Sequence, residues 1–252
     1  MKHLLLTGDT HGRVVERLKV ARALFPQYAP DDTGIIILGD SGFNFYLNKR
    51  DYKLKQAAND FGYTIYCVRG NHEERPEKIA TMETRIDLAV GGEVYLEPEF
   101  SQIRYLKDGG IYRFSNLTTL ILGGAYSVDK EYRLLTNPKL WFATEQLSKD
   151  ERAKILSEVK GKSFDMILSH TVPYSLRPTD LFLPMIDQSK VDESTEFWLE
   201  KVKHSVDYNI WLAGHFHDDR KLGDNAFMLY ENIIDITEIK EIIYEQQNYP
   251  SL

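Results

Sequence analysis

Five short polar segments, each directly after an apolar run, constrain the fold of this chain more than any other feature. They are residues 8–12, 39–40, 69–73, 169–170 and 214–217. Of the seven histidines in the chain, five lie in these segments, namely His11, His72, His170, His215 and His217. Polar groups that follow sheet strands collect at the carboxyl edge of the sheet in open α/β folds. The sequence therefore predicts a fold that brings all five segments to one edge.

The first third of the chain alternates between strand-like and helix-like patterns. Apolar runs at residues 4–7, 35–38 and 64–68 predict strands, and the intervening stretches 14–25 and 51–61 have helical spacing. This alternation is typical of parallel strands joined by crossover helices. It predicts an α/β fold.

The rest of the chain has a more mixed pattern. Residues 103–106 and 111–114 flank Asp108-Gly109, which predicts a β-hairpin. Ser148 and Glu151 predict a capping box at the start of a helix. Further strands are predicted at 118–122, 166–168 and 210–213, a further helix at 198–206, and antiparallel strand pieces at 226–237. We interpret residues 1–252 as a single domain with two packed sheets and flanking helices.

The residue types in the polar segments indicate a metal site. Asp9 and His11 are two residues apart, so in extended backbone their side chains would point the same way. The same holds for His215 and His217, with Phe216 facing away. Carboxylate, imidazole and amide oxygen together suit manganese, iron or zinc rather than a thiolate-bound structural zinc. A carboxylate can bridge two such ions, and a two-metal site attracts and activates phosphate groups.

Composition limits the alternatives. The formal charge of −7 argues against an extended nucleic-acid surface, which would need a basic stripe. No apolar run is long enough to span a membrane, and the N-terminus lacks the pattern of a signal peptide. The single cysteine, Cys67, is expected to be a buried strand residue. We therefore expect a cytoplasmic protein that acts on a phosphorylated small molecule and has no membrane partner.

The five segments together resemble the signature of the calcineurin-like metallophosphoesterase superfamily. That signature is D-x-H, then G-D, then G-N-H-[ED], then H, then G-H-x-H, and all blocks occur here in order between residues 9 and 217. The resemblance implies a four-layered αββα sandwich of two mixed sheets flanked by helices. It also implies a dimetal-dependent phosphoesterase that hydrolyses a phosphate monoester or diester, such as a nucleotide, by metal-activated water.

The resemblance also assigns roles to individual residues. One metal ion would be held by Asp9, His11 and His217. The other would be held by Asn71, His170 and His215, with Asp40 bridging the two. His72 matches the residue that donates a proton to the leaving oxygen or binds phosphate. The expected cofactors are two divalent or mixed-valent ions, manganese or iron, with zinc as the alternative.

The chain departs from one branch of this superfamily. Phosphoprotein phosphatases continue the second block as G-D-x-x-D-R-G, whereas here Phe43 stands in place of the acid and no arginine follows. This weakens the alternative of a Ser/Thr-type protein phosphatase. A nuclease acting on nucleic-acid ends and a non-catalytic scaffold with the same fold also stay open.

Candidate substrate residues lie outside the motifs. Tyr126 and Arg133 follow the strand at 118–122 and would bind substrate, although a solvated helix start explains Arg133 equally well. Residues 173–184 could wall the pocket or form an exposed loop. Phe43, Phe45 and Tyr46 could stack on a base or an aromatic leaving group, and we expect at least one of them to pack in the core instead.

Overall fold

Alternating strands and helices form the first third of the chain in a computed structural model that describes residues 1–248. The last four residues of the predicted domain, 249–252, lie outside the described residues. The elements in this part are β1 (His3–Thr7), α1 (Val14–Leu24), β2 (Thr33–Ile37), α2 (Lys49–Asn59) and β3 (Thr64–Cys67). β1 pairs with β2 and β2 with β3, both in parallel. The predicted parallel arrangement is confirmed.

The middle of the chain corrects the predicted hairpin. Its strands are β4 (Glu83–Asp87), β5 (Gly92–Leu96), β6 (Ile103–Leu106), β7 (Ile111–Phe114) and β8 (Leu117–Leu122). β6 and β7 do not pair, because they belong to different sheets. The Asp108 carboxylate instead accepts hydrogen bonds from Gly123 N (2.7 Å) and Arg69 Nε (2.8 Å), which tie the crossing between the sheets to the ends of other strands.

The hairpin forms one strand later, between β7 and β8. Its two-residue loop is Ser115-Asn116, with φ of 49° and 72°. Positive φ at both central residues is the geometry that matches the twist of paired strands. β4 and β5 form a second antiparallel pair that the sequence pattern did not reveal.

The second half of the chain contributes the remaining helices and strands. Its elements are α3 (Lys130–Thr136), α4 (Lys149–Val159), β9 (Ser163–Ser169), α5 (Ser194–Lys203), β10 (Asp207–Ala213), β11 (Arg220–Lys221), β12 (Ala226–Met228), β13 (Ile233–Asp235) and α6 (Ile236–Asn248). The capping box of Ser148 and Glu151 opens α4 as predicted. The tail prediction is partly wrong: β12 runs parallel to β10, and the strand pieces are followed by the 13-residue α6.

Two sheets pack face to face. The first has the order β13-β1-β2-β3-β6-β5-β4, and the second has the order β11-β12-β10-β9-β8-β7. The apolar core between them includes Leu6, Ile36, Leu168 and Leu212, all with no exposed surface. Separate buried clusters join α1 and α2 to the first sheet and α4 and α5 to the second. The predicted αββα sandwich is confirmed.

The carboxyl ends of the parallel strands position the polar segments. β1, β2 and β3 are parallel in the first sheet, and β9 and β10 are parallel in the second. Each of the five polar segments lies at the carboxyl end of one of these strands. Among the described residues, no helix is both long and apolar enough to cross a bilayer.

Candidate metal centre

The polar segments are tight turns rather than the extended stretches expected from the sequence. His11, Asp40, His215 and His217 all have left-handed backbone, with φ of 45°, 45°, 73° and 55°. Non-glycine residues adopt this region rarely, and such residues cluster at functional sites. The side chains still converge. Their direction is set by sharp turns of the backbone and not by the two-residue period of a strand.

Two buried carboxylates are held by backbone N–H groups of other segments. His215 N donates to Asp9 Oδ1 (2.9 Å), and His72 N donates to Asp40 Oδ1 (2.8 Å). The second oxygen of Asp9, Oδ2, is buried and has no hydrogen-bond partner among residues 1–248. A buried anionic oxygen without a partner is costly, and a bound cation would remove that cost.

The first predicted ligand set comes together around this unpaired oxygen. Asp9 Oδ2 lies 3.6 Å from His11 Nε2 and 3.3 Å from His217 Nε2. The two imidazole nitrogens face each other at 2.8 Å. Three donor atoms from two distant segments therefore share one small region.

The second predicted set lies beside the first. His170 Nδ1 is 2.8 Å from the carbonyl oxygen of Leu38, so Nδ1 carries a proton and donates it. His170 Nε2 then faces Asn71 Oδ1 at 2.7 Å, which brings two metal-ligand atoms together. The His215 ring packs edge-on against His170 with centroids 4.9 Å apart.

Asp40 lies between the two sets. Its Oδ2 is 3.8 Å from His11 Nε2 and 3.7 Å from His170 Nε2. Gly70 permits this approach, because a Cβ at that position would overlap the Asp40 carboxylate. Asp40 Oδ2 thus has a histidine of each predicted set within 4 Å of it.

Electrostatics keep both carboxylates ionised. Burial by itself would raise the pKa of Asp9, but the His170 ring and the neighbouring His11 and His217 imidazoles hold that pKa well below its usual range. The pKa of Asp40 is also lowered, because His170 and His72 outweigh its burial. Burial lowers the pKa of His215 to about 3, so its ring is neutral and can act as a ligand. The donor set therefore fits divalent metal ions.

A buried relay fixes the amide of Asn71. Asn71 Nδ2 donates to Ser127 Oγ (2.8 Å), and Ser127 Oγ donates to Glu145 Oε2 (2.5 Å). Ser127 N also donates to Glu145 Oε1 (3.1 Å). These contacts turn Asn71 Oδ1 toward the site. Sequence reasoning missed both supporting residues, because nothing in their spacing connects them to the motifs.

His72 lies against Arg133. Arg133 Nη2 is 2.7 Å from His72 Nε2 and also contacts Nδ1, while Arg133 Nε donates to Asp129 Oδ2 (2.7 Å). Since a guanidinium can only donate, a ring nitrogen of His72 accepts and is unprotonated. Burial and the Arg133 charge lower the pKa of His72 to about 4. The expected role of Arg133 in binding substrate stays a prediction, and its position beside His72 is what the structure adds.

Two cavities open on this centre, and both are lined by Asp40 and His72. The smaller one, about 270 Å³, includes Phe45, Tyr46 and Arg50. Arg50 lies 3.8 Å from the centroid of the Tyr46 ring, and its guanidinium forms no hydrogen bond or ion pair with any of residues 1–248. Sequence reasoning missed Arg50, because nothing in its spacing connects it to the motifs. Phe43, by contrast, is fully buried in the core.

The larger cavity, about 360 Å³, extends from Asn71 and His215 toward the segment between β9 and α5. Tyr126 lines it, as do Arg177 and residues 181–183, so part of the stretch 173–184 does wall the pocket. We call it the apolar cavity. The predicted substrate residue Tyr126 is therefore adjacent to the metal centre.

Comparison with known proteins identifies the family. The chain belongs to the calcineurin-like phosphoesterase family, whose model matches residues 2–219. This is a family of metal-dependent phosphoester hydrolases, which agrees with the ligand set described above.

The chain is similar to solved structures at low sequence identity. One crystal structure has a TM-score of 0.52 at 12% identity, over 94% of this chain and 96% of the other. The crystal structure of TT1561 of Thermus thermophilus has a TM-score of 0.45 at 13% identity, over 93% of this chain and 97% of that one. At 12% identity, the similarity to the first of these structures supports the fold alone. No curated protein gives a significant match.

Proposed function

We propose that this protein is a two-metal hydrolase that cleaves a phosphate ester of a small molecule, such as a nucleotide. The observation that carries the proposal is the meeting of seven predicted ligand side chains, two of which are the ionised, buried carboxylates of Asp9 and Asp40. Such a cluster is unfavourable without cations and suited to them.

The chain's own residues would hold the two ions. Asp9, His11 and His217 would bind one, and Asn71, His170 and His215 would bind the other, with Asp40 shared. When bound, manganese or iron ions would polarise the phosphate oxygens and lower the pKa of a water molecule.

His72 would act on the substrate from its position beside Asp40. Because one ring nitrogen accepts from Arg133, the neutral ring keeps its single proton on the other nitrogen, and the ring would turn that nitrogen to a phosphate or leaving-group oxygen when substrate binds. Arg133 would act as a positioning residue, since its bonds to Asp129 and to the carbonyl of Leu140 fix its guanidinium against the ring.

Arg50 would supply charge for the phosphate. Within residues 1–248 it is a cation without an ion-pair partner, and it lies in the wall of a cavity that includes His11, Asp40 and His72. Stacking on Tyr46 restricts its guanidinium, which is suited to bidentate contact with phosphate oxygens.

A protein phosphatase is the second candidate, and one observation favours it. The arginine that is absent after Asp40 has a counterpart in Arg133, which is paired with Asp129 and contacts His72 from another segment. Relative rates on phosphopeptides and on nucleotides would separate the two candidates.

The test is hydrolysis by manganese-loaded protein. We expect turnover of p-nitrophenyl phosphate, bis-p-nitrophenyl phosphate or a member of a nucleotide panel. His72→Ala should keep both metal ions and lower kcat by roughly 10²–10⁴ on poorly activated leaving groups, the range for general acid–base groups. His204→Ala, an exposed histidine outside the site, is the matched control. Absence of turnover on every substrate would contradict the proposal, and unchanged rates in His72→Ala would contradict the role of that residue.

A further inference from the structure

The apolar cavity has a chemistry that the hydrolytic site itself does not require. It shares Asp40, Asn71 and His72 with the metal centre. It is therefore close enough to hold the rest of a molecule whose phosphate lies at that centre. Its other walls are mainly hydrocarbon: Val128, Leu181, Phe182, Ile186, Val191 and Phe216. A volume of about 360 Å³ is within the range of small-molecule sites.

Two phenylalanines give the cavity a surface of nearly parallel aromatic rings. The rings of Phe182 and Phe216 are inclined by only 18°, with centroids 6.2 Å apart. Phe216 lies in this position because it is between two predicted ligands, His215 and His217. An aromatic group packed on such a surface gains stacking in addition to apolar burial.

The charges of the cavity disfavour a second anion. Its arginine, Arg177, is ion-paired with Glu193 and lies 3.6 Å from the centroid of the Tyr174 ring. Asp129, also in the wall, is paired with Arg133. Arg50, which has no ion-pair partner in the described part of the chain, lines the smaller cavity and not this one. The two cavities therefore differ in the chemistry that they can bind.

One polar group in the apolar cavity lacks a partner. Glu196 lines it and is only 6% exposed. Its Oε1 accepts from Thr171 Oγ1 (2.9 Å), whereas its Oε2 has no hydrogen-bond partner within residues 1–248. A buried acceptor without a donor is costly, and a ligand that supplies an N–H would satisfy it.

We propose that the apolar cavity binds an aromatic heterocycle of the substrate, and that Glu196 accepts a hydrogen bond from an amino group on that ring. This inference rests on the proposed hydrolase function and defines its substrate class: phosphoesters that carry an amino-substituted aromatic base. The ring would pack on Phe182 and Phe216, and the phosphate would reach the metal centre past Asn71 and His72.

Direct binding tests the ring. Calorimetric titration of manganese-loaded protein with adenosine and with ribose avoids any dependence on turnover. We expect adenosine to bind and ribose to bind at least about tenfold more weakly, because ribose buries no ring. Phe182→Ala should weaken adenosine binding by about tenfold. Phe197→Ala, which removes a 48% exposed ring outside the cavity, is the matched control and should leave it unchanged. Equal binding of ribose and adenosine, or no effect of Phe182→Ala, would overturn the proposal.

Inosine tests the amino group, since it replaces the amino group of adenosine by a carbonyl. Wild-type protein should prefer adenosine by on the order of tenfold. Glu196→Gln, which can keep the bond from Thr171, should lose or reverse that preference while metal content stays the same. An unchanged preference in Glu196→Gln would overturn the assignment of Glu196.

The two proposals can fail separately. Adenosine binding without hydrolysis of any ester would contradict the hydrolase and leave the cavity assignment standing. Hydrolysis with the same KM for ring-bearing and ring-free phosphoesters, or a clear preference for phosphopeptides, would contradict the cavity assignment and leave the hydrolase standing.

Discussion

Individual residues of the metal centre are held in conformations that the rest of the fold must support. His11, Asp40, His215 and His217 have left-handed backbone, which costs of order 1–3 kcal/mol for each such residue. The cost is offset by contacts between segments, such as the 2.8 Å bond from His11 N to the carbonyl of Asp40. The sequence could predict which side chains bind metal, but not this backbone, because the positive φ values follow from those contacts between distant segments.

The protonation of His72 gives a prediction at the same scale. Burial and the charge of Arg133 lower the pKa of His72 to about 4, so the fold favours the neutral ring. An unfolded chain would protonate this ring near pH 6.5 and the folded chain only near pH 4. His72 therefore lowers the free energy of unfolding as pH falls through that window. We expect its NMR ring signals in metal-free protein to titrate near pH 4.

Arg133→Met is the variant that tests this cause. Removing the guanidinium should move the His72 pKa upward while burial is largely retained. Arg113→Met, an exposed arginine in β7, should not move it. A His72 titration near pH 6.5 in the wild-type protein, the ordinary value for histidine, would contradict the close contact with Arg133.

At the scale of elements, the strands that carry the motifs were predictable and their partners were less so. Continuous apolar runs such as residues 35–38 identify buried parallel strands without any tertiary information. The Asp108-Gly109 turn was misassigned because a turn sequence does not state whether its flanking strands pair or enter different sheets. The helix α6 was missed although Ile236, Ile239 and Ile243 have helical spacing, because β-branched residues also favour strands.

Connections between elements supply the support of the site. The segment after β8 brings Ser127 under Asn71, and the segment before α4 brings Glu145 under Ser127. Mutation of a group that orients a metal ligand typically lowers metal affinity or activity by about 10–100-fold.

Loss of this support should weaken one metal ion. Glu145→Ala removes both acceptors of Ser127 and frees the Asn71 amide to turn, so we expect the affinity of one of two ions to fall by roughly 10–100-fold. Glu145→Gln keeps an acceptor for Ser127 N and should restore most of it. Competition with a chelating dye measures the metal affinity of both variants. Two ions bound with wild-type affinity in Glu145→Ala would show that the relay is not needed.

At the scale of the whole molecule, both sheets of the sandwich contribute predicted metal ligands to one edge. Asp9, Asp40 and Asn71 follow strands of the first sheet, and His170 and His215 follow strands of the second. The order of motifs in the sequence predicted this meeting, because parallel strands place their carboxyl ends together. The cavities could not be predicted, since their walls come from irregular segments between β9 and α5 and beside α2.

The central claim is that seven side chains bind two metal ions, with Asp40 shared between the ions. The seven are Asp9, His11, Asp40, Asn71, His170, His215 and His217. Anomalous diffraction from crystals of manganese-loaded protein tests it most directly, together with the metal content of Asp40→Ala. We predict two anomalous peaks per chain, one on either side of Asp40, and loss of both ions in a folded Asp40→Ala protein. A single peak or none in the wild-type protein, or two ions retained by Asp40→Ala, would contradict the account.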